Sequence, residues 1–100
     1  MALFHIMAMD KPDSAALRLA TRQAHLDFAN ALGPKLKLGG PMLSDDGAAM
    51  IGSVFVIEAD DREELAMILA ADPYAKAGLF ARVDVRPFRQ VFPTPPKAHA

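Results

Sequence analysis

The sequence predicts an α+β fold built on one four-stranded antiparallel sheet, and three observations lead there. Two stretches carry apolar residues at helical spacing, close to 100° per residue. Four shorter stretches are rich in β-branched and aromatic residues or alternate with period two. Along the 100 residues these segments follow one another as β-α-β-β-α-β, separated by clusters of Gly, Pro, Asp and Ser.

The first strand is read at residues 2–9, an apolar run interrupted only by His5 and closed by Asp10-Lys11-Pro12-Asp13. Its composition suits a central strand buried on both faces. Asp13 or Ser14 can cap the following helix, whose first N–H groups need acceptors. That helix runs to Gly33-Pro34, and its expected buried stripe is Leu17, Ala20, Thr21, Ala24, Phe28, Ala31 and Leu32. Gly33 ends it and Pro34 blocks continuation. Lys35-Leu36-Lys37-Leu38 alternates as a strand does, and Gly39-Gly40-Pro41 lets the backbone bend or approach closely. Ser44-Asp45-Asp46-Gly47 is a turn, and Met50 to Glu58 is a strand, so the middle of the chain forms a hairpin. Asp60-Glu63 and Asp61-Glu64 have capping-box spacing for a second helix with Leu65, Ile68 and Leu69 inward, ending near Asp72-Pro73. Residues 74–78 make a short turn or a single helical turn. Residues 79–88 form the last strand, with Ala81, Val83 and Val85 on one side and Arg82, Asp84 and Arg86 on the other. This order is the split βαβ pattern of ferredoxin-like folds. The domain spans residues 1–90, and residues 91–100, holding Pro93, Pro95 and Pro96, form an extended tail that can lie across a neighbouring subunit.

Composition bounds the function. Hydrophobic residues make up 52% of the chain, high for a small monomer, so a homodimer that covers apolar sheet surface is expected. Eleven basic and twelve acidic residues give a net charge of -1, which lacks the clustered positive charge nucleic-acid binding needs. The absence of cysteine excludes disulfides, thiol catalysis and zinc–thiolate sites. His5, His25 and His99 share no metal-ligand spacing. No apolar run approaches the roughly 18 residues of a membrane span, and the N-terminal segment lacks a basic region and a cleavage site. A cytoplasmic protein with no metal, no cofactor and no membrane partner is expected.

Several segments stand in a telling order: Arg22-Gln23-Ala24-His25-Leu26, Gly40-Pro41-Met42-Leu43, Ser44-Asp45-Asp46-Gly47, Gly52-Ser53-Val54-Phe55-Val56-Ile57-Glu58, Ala70-Ala71-Asp72-Pro73-Tyr74 and Ala77-Gly78-Leu79-Phe80. Over residues 1–90 the set resembles the YCII-related (YciI-like) family of small dimeric α+β barrel proteins. The resemblance implies a ferredoxin-like protomer, a dimer with stacked sheets, and a histidine–aspartate pair in a cleft, carried here by His25 and Asp72. Some relatives act on small ring compounds, for example by removing chloride from a hydroxylated aromatic, and the broader superfamily includes lactone isomerases and monooxygenases. Tyr74 stands where the family more often has Phe and adds a hydroxyl near the implied site.

The residues themselves bear on this. His25 falls about 80° from Leu17 around the helix, at the edge of the expected core face, and imidazole chemistry suits proton transfer at neutral pH. A boundary histidine bonded to a neighbour is the plainer use. Asp72 before Pro73 also suits a turn; facing His25 it would orient the imidazole, or it could act as a nucleophile. Arg22, with Arg18 a turn earlier, makes a positive stripe for a carboxylate or phenolate, or merely a solvated face. Ser53 can offer a hydroxyl but lacks a GxSxG elbow. His5 can line the same cavity or sit satisfied in the core. Asp45 and Asp46 read as turn-formers, and Arg82, Asp84 and Arg86 as an interface or surface ladder.

Two readings share these residues. One is a cofactor-independent enzyme, a lyase or isomerase, in which His25 moves a proton, Asp72 orients it, and Arg22, Ser53, Tyr74 and His5 hold a small anionic or ring-containing metabolite. The other is a non-catalytic ligand-binding or accessory module.

Overall fold

The computed structural model describes residues 2–95. Its elements are β1 (Ala2–Asp10), α1 (Ala15–Leu32), β2 (Leu36–Leu43), β3 (Met50–Ala59), α2 (Arg62–Ala70), α3 (Pro73–Lys76) and β4 (Phe80–Phe88), with a 3-10 turn at Gly33–Lys35. The sheet order is β2-β3-β1-β4, every neighbouring pair antiparallel, which is the expected ferredoxin-like arrangement. Both prolines of the sheet, Pro41 and Pro87, sit on the outer strands β2 and β4. A proline has no N–H for the ladder, so edges are where it is tolerated.

Register fixes which side chains meet. Phe4, Ile6 and Ala8 lie opposite Ile57, Phe55 and Ser53, and these alternate positions face the helices. With Ala59 and Leu65 they make the core, flanked by Leu32, Leu36, Ile68, Leu69 and Val85. β1 is central as expected, but only this face is fully buried. Leu3, His5, Met7 and Met9 point to the opposite face and stay half-buried, because both helices pack on one side of the sheet. Gly52, opposite Met9 on β3, has no room for a side chain. A Cβ there would press on the Met42 methyl and lie 2.5 Å from the Ala8 carbonyl oxygen.

The helix ends follow local chemistry. Asp61 caps α2 by accepting from the Glu64 N–H at 2.8 Å, and the Glu64 carboxylate accepts from the Asp60 N–H at 3.0 Å. Gly33, at φ 58°, ends α1 in the left-handed region that glycine tolerates. Ser14 occupies the first cap position, but its hydroxyl turns to the Pro12 carbonyl oxygen and caps nothing.

The buried stripe of α1 differs from the expected one. Leu17, Ala20, Ala24 and Ala31 are exposed, whereas Arg18 and His25 are buried, with Thr21, Phe28 and Leu32 half-buried beside them. The inward face is rotated from the expected one by roughly 60°. Small alanines gain little from burial, while Arg18 and His25 each find a buried carboxylate. Residues 89–95 carry no helix or strand; the remainder of the expected tail, residues 96–100, lies outside the described residues.

Candidate active site

α1, α3 and β3 converge on a cavity of about 260 Å³, lined by Arg18, Arg22, His25, Ser53, Phe55 and Tyr74. Its rim includes Gly39, Gly40 and Pro41 of β2 and Met50 of β3. A broader groove between α1 and α2 has an apolar floor of Phe28, Leu32, Met67 and Ile68 and gathers none of the buried polar groups.

Among the described residues four polar side chains are buried: Arg18, His25, Ser53 and Asp72. Such groups are costly unless paired, and here each has a partner. His25 Nδ1 lies 2.8 Å from Asp72 Oδ1. The same oxygen accepts the Tyr74 backbone N–H at 2.9 Å, because Asp72 is the cap residue of α3. An ionised carboxylate only accepts, so the proton of this contact sits on Nδ1. Nε2 is then left as the basic nitrogen of a ring that lines the cavity. Asp72 itself is 2% exposed and lies behind the imidazole, off the cavity wall.

Arg18 stands seven residues before His25, two helical turns or about 10 Å along α1. Its Nε donates to Asp10 Oδ2 at 2.7 Å and its Nη2 to Asp10 Oδ1 at 3.1 Å, a two-pronged clamp. Nη2 also donates to Ser53 Oγ at 2.7 Å. Burial pulls the Arg18 pKa down, but the Asp10 hydrogen bonds and charge outweigh it and hold the guanidinium charge above its ordinary range.

Tyr74 joins the two pairs. Its ring stacks on His25, centroids 4.0 Å apart and planes at 16°, and the Arg18 guanidinium carbon lies 4.7 Å from its centre. Phe80 meets it edge-on and Phe55 packs by His25. Burial pushes the Tyr74 pKa up, with Arg18 and Arg22 opposing in part, so the phenol stays neutral and available as a donor.

The sequence-named candidates therefore divide. His25, Arg22, Ser53 and Tyr74 share the cavity wall, and Asp72 stands directly behind it. His5 does not join them. It pairs with Val56 and Arg86 on the open face of the sheet and lies 6.2 Å from the Phe88 ring. The parity of β1 decides this: Asp10 and His5, an odd number of residues apart, fall on opposite faces. Asp10, which the sequence places at the start of a loop, also belongs to the cluster, and so does Arg18, the earlier member of the positive stripe. The signal was their spacing. A strand end and a helix's first turn joined by residues 11–14 must lie side by side.

The YCII-related domain model matches residues 2–89. The chain belongs to the YCII-related family. It is 39% identical over 97 residues to Protein YciI of Escherichia coli O6:H1, covering 90% of this chain and 99% of that protein. It is also similar to 5-chloro-2-hydroxyhydroquinone dehydrochlorinase (TftG) from Burkholderia phenoliruptrix AC1100, solved in complex with 2,5-dihydroxybenzoquinone: 34% identity, TM-score 0.82, covering 89% of this chain and 95% of that one. A structure described as an antibiotic biosynthesis monooxygenase shares only the fold, at 15% identity and TM-score 0.54.

Proposed function

We propose that this YCII-related protein is a cofactor-independent enzyme of the lyase or isomerase type that moves a proton on a small, ring-containing, anionic metabolite. The observation that carries the reading is the buried His25–Asp72 contact at 2.8 Å, with the imidazole on a cavity wall and the carboxylate behind it. In this reading Nε2 of His25 takes a proton from substrate carbon or hydroxyl. The released electron pair moves toward a ring oxygen. In an isomerase the imidazolium returns the proton to another substrate atom. In a lyase the oxygen's electron pair folds back to form a new π bond as the leaving group departs with its bonding electrons, and the imidazolium gives its proton to the leaving group or to solvent. Asp72 keeps Nδ1 protonated and stabilises the imidazolium as it forms. Its place behind the ring favours this role over attack on substrate. Arg22, on the exposed side of the wall, attracts the anion, and the Tyr74 hydroxyl is a neutral donor.

The likeness to a dehydrochlorinase that acts on a hydroxylated, chlorinated ring supports the substrate class. A relative in Emericella nidulans, 38% identical over 69 residues, bears the name "Derivative of benzaldehyde biosynthesis cluster protein C". The reading includes a homodimer through the open sheet face, where Leu38 is 61% and Phe88 41% exposed beside Met7 and Val54. That much apolar surface on one face of a small domain favours coverage by a second copy.

The test is turnover across hydroxylated and chlorinated quinols, small lactones and phenolic acids. The expected result is activity with at least one ring compound, falling roughly 10²–10⁴-fold in His25→Ala and Asp72→Asn. Wild type and His25→Ala behaving alike on the whole panel would defeat the acid/base reading and leave a binding module.

A further inference from the structure

Asp10 takes no part in the proton transfer above, yet it holds the most constrained side chain at the cavity. Both of its oxygens are engaged by Arg18. That clamp fixes Nη2 2.7 Å from Ser53 Oγ. An arginine cannot accept a hydrogen bond, so at this contact Ser53 is the acceptor and its own O–H must point elsewhere. Ser53 is 2% exposed, and no protein acceptor for that proton stands among the described residues. Arg18 Nη1 bonds neither Asp10 nor Ser53, and the Tyr74 hydroxyl is the group that interacts with the rest of the guanidinium. Both residues line the cavity that holds His25, and the neutral phenol of Tyr74 lies against the same guanidinium.

We propose that Asp10 is a positioning residue whose grip on Arg18 turns the Ser53 hydroxyl and the remaining Arg18 N–H into a paired donor site for the oxyanion of a planar ligand, a phenolate or enolate. The inference deepens the acid/base reading, since it assigns the oxygen end of the substrate within the same cavity. It also constrains the chemistry. A proton leaves substrate to His25, and the resulting negative charge rests on an oxygen held by Ser53 and Arg18. Arg22 is exposed and not held by a buried carboxylate, so it contributes attraction without this geometry. The Asp10–Arg18 charges are balanced before the ligand arrives. Selectivity for the anion therefore rests on aimed N–H and O–H groups and not on net charge.

The probe is 4-nitrophenol, whose ionised form is coloured, compared with 4-nitroanisole, an ether of similar shape that cannot ionise. Binding is followed by visible absorption across pH. Wild type is expected to bind the phenolate roughly ten- to hundredfold tighter than the ether and to lower the pKa of the bound phenol. Ser53→Ala, which removes only the hydroxyl, and Asp10→Asn should each lose most of that preference, and Asp10→Glu should restore part of it. A change confined to overall fold would weaken phenolate and ether alike. If Asp10→Asn does not fold, Ser53→Ala decides alone. His25→Asn should keep the phenolate preference while abolishing turnover, so the oxyanion site and the proton shuttle fail separately. An unchanged preference in Ser53→Ala, or no preference in wild type, overturns the proposal.

Discussion

Two carboxylates are buried against one helix, and they do different things. Asp10 holds Arg18, and Asp72 holds His25 two turns further along α1. Both contacts are short, and both side chains of each pair are largely enclosed. The difference lies in the cation. A guanidinium cannot shed its proton at any ordinary pH, so the Asp10–Arg18 pair is charged throughout and works as a fixed strut. An imidazole can be neutral or charged, so the Asp72–His25 pair can change state without moving an atom far. One pair fixes geometry, and in the proposed function the other moves the proton. Tyr74 touches both, which makes it the physical link between them.

Removing each carboxylate should expose this difference most strongly. Asp10→Ala leaves an enclosed guanidinium without its counter-charge, and urea unfolding should show a loss of about 3–5 kcal/mol. Asp72→Asn keeps an acceptor for the Tyr74 N–H, and His25 can remain neutral, so the same measurement should show only about 1–2 kcal/mol. Equal losses would mean that His25 is charged as permanently as Arg18 and would erase the distinction.

Most of the fold was legible because large apolar residues carry their own period. Leu65, Ile68 and Leu69 named the inner face of α2 correctly, and the alternation of Val83 and Val85 with Arg82, Asp84 and Arg86 named the faces of β4. The face of α1 was misread because half of its apolar candidates are alanines, whose weak preference for burial yields to two paired polar side chains. Hydropathy counts Arg18 as a surface residue. It has no means of seeing that Asp10, eight residues earlier, comes back beside it. His25 and Asp72 are 47 residues apart, and composition, periodicity and spacing do not join them; only the family resemblance put them together. His5 was placed with them for want of a strand parity, which the register supplies.

A smaller effect should appear at the link. Burial raises the Tyr74 pKa above the value near 10 of an exposed tyrosine. Keeping the phenol neutral therefore contributes stability that is complete below pH 10 and is lost as pH climbs through the raised value. Thermal unfolding of wild type should weaken more steeply above pH 10 than that of Tyr74→Phe. Parallel alkaline profiles would mean that the Tyr74 hydroxyl is already solvated.

The division of labour between the two pairs is tested most directly by the protonation of one ring. ¹⁵N–¹H correlation spectra of His25 at neutral pH should show the neutral tautomer with its proton on Nδ1, and Asp72→Asn should weaken that preference. A proton found on Nε2 in the wild-type protein would leave no base facing the cavity, and the proton-transfer role given to His25 would be wrong.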